Sequence, residues 1–139
     1  MVRKTEYLCV FLSGGIIYNL IELAWRGYSH WSMTVAGGIC LLLIHMINQK
    51  LHDKSLLLRY LTGCVIITVV EFVAGIIVNV VFKLYVWDYS AIPGNIMGQI
   101  CPLFSFFWFL ITILACLVSD ASRRFFNFLI NREENAADG

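Results

Sequence analysis

Four apolar runs, each long enough to cross a bilayer as a helix, fill most of this chain: Tyr7 to Trp25, Trp31 to Gln49, Tyr60 to Phe82 and Ile100 to Ser119. A hydrocarbon core of about 30 Å takes roughly 20 helical residues. The runs therefore predict an all-α integral membrane protein, with one four-helix transmembrane domain over residues 1–132 and a short disordered cytoplasmic tail over 133–139. Hydrophobic residues make up 60% of the chain and charged residues only 14%, which excludes the ordinary globular classes. A basic start followed by an apolar run also opens a secretory signal. Here, however, no small-x-small cleavage site follows, and Glu22, Trp25 and Arg26 stand where one would lie, so the run reads as a retained first helix.

Lysine and arginine gather at the N-terminus (Arg3, Lys4), between the second and third runs (Lys50, Lys54, Arg59) and after the fourth (Arg123, Arg124, Arg132). By the positive-inside rule both termini face the cytoplasm. Trp25, Tyr28, Trp31, Tyr85, Trp87 and Tyr89 collect at the opposite, outer interface as an aromatic belt. The five cysteines are scattered through apolar sequence without a C-x-x-C pair and read as small packing residues.

The first run contains Gly14 to Glu22 and the third Gly63 to Glu71, with the same glycine-to-glutamate spacing through similar residues. Related strings follow in each half, Gly38-Ile-Cys-Leu and Gln99-Ile-Cys-Pro-Leu, so the domain reads as two repeated helical hairpins. Each run carries one polar or small stripe: Gly14, Tyr18, Glu22 and Arg26; Gly38, His45, Asn48 and His52; Thr68, Glu71, Gly75 and Asn79; Gly98, Pro102, Ser105, Thr112, Cys116 and Ser119. Lipid cannot satisfy such groups, so the stripes should turn inward. Residues 86–98 carry Pro93-Gly94 within apolar and aromatic sequence. This segment is compatible with either an interfacial loop or a short re-entrant piece.

Glu71 is the residue of most consequence, lying about 15 Å of helix from either end of its span. A carboxylate at that depth costs about 2.5–3.5 kcal/mol unless paired, protonated or hydrated, so it is either a proton- or cation-binding group or a structural group hydrogen-bonded to Thr or Asn on a neighbouring helix. Glu22 has Arg26 one turn on, the spacing of an intrahelical ion pair. If the hairpins are related, Glu22 and Glu71 share one pocket, with His30, Asn79, Trp87, Asp88, Asn95 and Gln99 around its outer mouth. His45 and His52 have no third ligand at metal-site spacing, so no metal is expected. No nucleotide-, dinucleotide-, zinc-protease or hydrolase signature is present, so no cofactor is expected and any ATP would be bound by a separate subunit.

Tyr18-Asn-Leu-Ile-Glu22, Arg26-Gly-Tyr-Ser-His-Trp-Ser-Met33, Val86-Trp-Asp-Tyr-Ser90 and Gly98-Gln-Ile-Cys-Pro102 together resemble the bacterial family labelled putative ABC-transporter type IV, over roughly residues 12 to 120. The resemblance implies a small multi-span protein of the bacterial cytoplasmic (inner) membrane that acts as a permease component. The leading expectation is a homo-oligomer surrounded by membrane lipids, with no nucleic-acid partner, whose glutamates bind a proton, a cation or a cationic small molecule. One alternative is a membrane enzyme acting on lipid head groups through Glu22, Arg26, His30, Asp88 and Gln99. Another is a non-catalytic partner subunit in which the polar seam only holds helices together.

Overall fold

The computed structural model describes residues 1–137. Helix α1 spans Val2–Arg26, α2 Trp31–Lys50, α3 Leu56–Gly75 and α4 Pro102–Ala137, with a π-helical stretch, Ile76–Val81, continuing α3. All four are long and apolar enough to cross a membrane, as the four runs predict. Their ends follow local chemistry. Gly27 adopts φ 75 and returns its N–H to the Leu23 carbonyl, a left-handed cap that only glycine takes without strain. Ser55 accepts from the Leu58 amide at 3.3 Å and starts α3.

The terminal helix is longer than its apolar run. It has 36 residues, about 54 Å at 1.5 Å each, and absorbs both the phenylalanine–arginine segment and residues 133–137, which the composition had pointed to as a disordered tail. Glutamate and alanine are strong helix formers, so a helix already under way continues through them. Residues 138–139 lie outside the described part.

Close approach of α1 and α2 depends on glycine. A Cβ at Gly14 would lie 2.5 Å from the Gly37 carbonyl oxygen, and one at Gly37 2.8 Å from that of Gly14. In lipid, where burial gives no hydrophobic gain between helices, such backbone contact supplies the packing energy. Gly63 likewise faces Thr112 and joins α3 to α4. The central core is Cys40, Ile44, Ile67, Trp108 and Cys116.

The stripes converge inside as expected, with Gly14, Gly38, His45, Asn48, Glu71, Asn79, Thr112, Cys116 and Ser119 all buried. His52 and Pro102, both exposed, depart from this pattern. Helix α2 stops at Lys50, and the turn after it leaves His52 exposed beside Asp53.

Arg3 donates to Asn127 Oδ1 at 2.6 Å, so the start of α1 and the far part of α4 share one end of the bundle, here termed the terminal end. The opposite, loop end is covered by residues 82–101, which contain no helix and fold back so that Val86, Gln99 and Cys101 are buried. Asn79 fastens this cover, accepting from the Val86 amide at 2.7 Å and donating to Gln99 Oε1 at 2.9 Å.

Replacing Gly37 with leucine should separate α1 from α2 and lower the thermal midpoint of the detergent-purified protein by several degrees, at a cost of about 1–3 kcal/mol. Leu20→Ala, at a position 60% exposed on α1, should leave the midpoint within about a degree of the original. A melting curve of each variant checks both.

Candidate functional site

Glu71 is buried in the bundle with only 6% of its surface exposed. Two aromatic donors hold it: Tyr89 O–H at 2.9 Å to Oε1 and Trp108 Nε1–H at 2.7 Å to Oε2. Trp108 comes from α4, and Tyr89 from the covering segment, where its amide bonds the Gly98 carbonyl at 2.8 Å. Burial and the adjacent Glu71 carboxylate both push the Tyr89 phenol far above its ordinary range, so it stays protonated and remains a donor.

On the other side of Tyr89 and Trp108 lies a cavity of about 210 Å³. Its walls are Tyr18, Trp25, Trp87, Tyr89, Phe104, Phe107 and Trp108, with Glu22 and Arg26 at the rim. The rings brace one another. Tyr89 stacks on Phe104 at 4.5 Å with planes 7° apart, and Tyr18 lies 6.0 Å from Trp108. Glu71 is thus one side chain removed from open space, behind aromatic side chains.

The other residues singled out from the sequence divide into two groups. Glu22, Arg26 and Trp87 line the cavity. Arg26 donates to Glu22 Oε2 at 2.7 Å and to the Val86 carbonyl at 2.7 Å, lies 4.6 Å from the centre of the Tyr28 ring, and leaves its buried Nε without a partner. The remainder hold backbone. Asn79 and Gln99 bond each other, and Trp87 Nε1 donates to the Gln99 carbonyl at 3.0 Å. His30 caps α2, accepting from the Ser32 amide at 3.3 Å. Asn95 accepts from the Gly98 amide at 3.0 Å, and Asp88 accepts from the Ser90 amide at 2.8 Å. The Ser90 hydroxyl and amide hold the exposed Asp88 carboxyl below its usual range. Glu22, Arg26, His30, Asp88 and Gln99 therefore do not meet as one acid–base cluster.

The terminal end holds a second polar centre that pattern reading missed. Glu6 of α1 is fully buried. It accepts from Arg3 at 2.8 Å and faces His45 Nε2 at 3.1 Å and Arg123 Nε at 3.2 Å. His45 Nδ1 is 2.9 Å from Ser119 Oγ, which also accepts from Asn48 at 3.0 Å and Gln49 at 3.1 Å. Ser119 Oγ, already accepting twice, gives its proton to the Nδ1 contact, while His45 Nε2 lies between the Glu6 carboxylate and the Arg123 guanidinium, 3.5 Å away. Arg59 completes the network through Asn48 Oδ1 and Asp120 Oδ2, both at 2.6 Å. The sequence signals were the inward stripes that carry His45, Asn48 and Ser119. Glu6, beside Lys4 and Arg3, has the look of an interfacial charge.

With this geometry established, the family match is decisive: a model described as Putative ABC-transporter type IV matches residues 37–135. The chain belongs to that family. No curated protein and no solved structure matches it. Family membership and four span-length helices make it a multi-pass, transport-related membrane protein. Glu71, Tyr89 and Trp108 lie within the matched segment, whereas Glu22 and Arg26 precede it.

Glu6→Ala should leave His45 buried without its acceptor and the Arg123 guanidinium without its counter-charge, and cost about 3 kcal/mol. His52→Ala, on an exposed turn, should change stability by less than about 0.5 kcal/mol. Thermal unfolding of the two purified variants separates the outcomes.

Proposed function

We propose that this protein is a small permease-like subunit of the bacterial cytoplasmic membrane, with both termini cytoplasmic, that binds an organic cation in the aromatic cavity at its outer end. The supporting observation is the position of Glu71. A carboxylate in the middle of an apolar bundle is separated from a sizeable cavity only by Tyr89 and Trp108, the two side chains that bond it.

Aromatic faces attract cations, most strongly where water is excluded. Glu22 and Arg26 neutralise each other at the rim, which leaves Glu71 as the carboxylate without a cationic partner. A bare metal ion needs several oxygen ligands to replace its hydration shell. Here both Glu71 oxygens are already taken by aromatic donors, and the cavity walls are mostly rings. An organic ammonium, which keeps little water, fits that lining better. A proton competes for the same carboxylate, and this supplies a means of coupling.

In this reading the chain functions as a homo-oligomer with a separate ATPase subunit. The cytoplasmic part of α4, which exposes Arg124, Phe125 and Phe128, is the surface for that partner.

Three of the four tryptophans line the cavity, so intrinsic fluorescence reports on its occupancy. Titration of tetramethylammonium into the protein in nanodiscs should give a saturable change. Glu71→Gln, which keeps the size of the side chain but removes its charge, should weaken binding at least about tenfold, or 1.4 kcal/mol. Equal affinity in the variant would remove Glu71 from the site, and the absence of any saturable change would remove the organic-cation reading.

A further inference from the structure

The walls of the aromatic cavity differ in chemistry. On one side, α4 and the covering segment present rings whose polar ends are already engaged: Trp108 Nε1 and the Tyr89 hydroxyl on Glu71, and Trp87 Nε1 on the Gln99 carbonyl. Phe104 and Phe107, on the same side, have no polar end. The opposite wall is α1, where Tyr18, Glu22 and Trp25 line the space from one helix. There the polar atoms are unspent. Arg26 takes only Oε2 of Glu22, and among the described residues Glu22 Oε1, the Tyr18 hydroxyl and the Trp25 indole N–H have no hydrogen-bond partner.

Neither Glu22 Oε1 nor the Tyr18 oxygen is sealed in protein, since the sealed side-chain atoms without a partner are Nε of Arg26 and of Arg123. Of the two, Glu22 decides more, because Tyr18 also borders a smaller apolar cavity of about 70 Å³. A carboxylate oxygen can only accept, so its match in a ligand is a donor. An acceptor left unmatched by the bound ligand loses its water for nothing, which is how a site rejects an analogue that lacks the donor.

We infer that the ligand is an organic cation carrying a hydroxyl group, with its ammonium among the rings and its hydroxyl donating to Glu22 Oε1. This rests on the organic-cation reading and adds a second recognition element on the opposite wall. An N–H donor reaches the same oxygen only by carrying the charge toward Arg26, away from the rings and Glu71. A hydroxyl on a short arm leaves the charge where it is favoured. A hydroxyl also accepts, which gives the Tyr18 O–H, one turn from Glu22 on α1, a use as well. The size is compatible: about 210 Å³ is room for about seven waters at roughly 30 Å³ each, and so for a whole cation of about seven non-hydrogen atoms.

The test follows tryptophan fluorescence of the full chain in nanodiscs with three trimethylammonium compounds that differ in one arm. The 2-hydroxyethyl arm donates and accepts, 2-methoxyethyl only accepts, and propyl does neither. The hydroxyethyl compound should bind at least about fivefold more tightly than either, through its bond to a charged acceptor. A site without that acceptor gives the reverse order, because propyl carries the most apolar surface. Replacing Glu22 and Arg26 together by leucine removes the acid and its partner without altering the net charge, and should reduce the preference over propyl to less than about twofold. Should this double variant fail to fold, the order of the three compounds on the unaltered chain decides alone. Propyl binding as tightly as hydroxyethyl overturns the inference and leaves the organic-cation reading standing. Methoxyethyl matching hydroxyethyl, or a preference that survives in the double variant, removes Glu22 as the acceptor and overturns it too. If none of the three gives a saturable change, both readings fall.

Discussion

A carboxylate sealed among apolar helices has to find its donors within the protein, and two such groups, Glu6 and Glu71, determine how this bundle is put together. Water in the bilayer core cannot meet the need, and an unmatched group there costs several kcal/mol. Glu6 therefore draws in Arg3, His45 and Arg123, from α1, α2 and α4, while Arg59 of α3 joins through Asn48 and Asp120. Glu71 draws Trp108 from α4 and Tyr89 from the covering segment. Each acid fixes one end of the molecule. Between them the helices meet largely through glycine, threonine, cysteine, aliphatic and aromatic side chains.

The unequal treatment of the two ends accounts for the cavity. At the terminal end, ionic contacts pull α1 against α4. At the loop end no comparable contact joins them, because Glu22 and Arg26 are spent on each other and on the Val86 carbonyl, and Trp108 is turned toward Glu71. Large rings on both helices hold the remaining space open, and residues 82–101 close it from above. That cover is itself anchored by one buried amide pair, Asn79 and Gln99, at the π-helical end of α3. An extra residue per turn in a π segment re-aims the side chains it carries, and π segments recur at functional positions for that reason.

The spans, the inward stripes and the burial of Glu71 were legible because each follows from period and polarity, which a sequence displays directly. The partners of Glu71 were not. Tyr89 was grouped with an outer aromatic belt, and Trp108 sat in an apolar run, because a ring in a membrane helix carries no sign of where its N–H or O–H points. Glu6 was hidden by its neighbours: a charge beside Arg3 and Lys4 at a helix start looks solvated, and only the arrival of Arg123 from 117 residues further along the chain buries it. His30, Asp88 and Asn95 looked like site residues because polar groups near an outer mouth invite that reading. Each is instead satisfied by a backbone amide two or three positions away. Such local turns are a common use of polar side chains near helix ends.

Placing the acid behind two aromatic side chains, rather than in the cavity, bears on what the proposed site admits. A carboxylate lining the cavity would attract hydrated metal ions and ammonium groups alike. Behind Tyr89 and Trp108 it is reached only by its field, which is weakly screened in an apolar interior, while a cation in the cavity meets aromatic rings. A small inorganic ion would have to surrender most of its hydration for contacts worth only about 0.5–2 kcal/mol each. A quaternary or alkyl ammonium, already shielded by its own methyl groups, surrenders little and gains the same contacts. Discrimination then arises from the hydration the cation loses on entry rather than from the strength of its contacts. It would be lost if Tyr89 moved aside and let water through to Glu71, so the covering segment that carries Tyr89 is as much a part of the selectivity as the carboxylate it conceals.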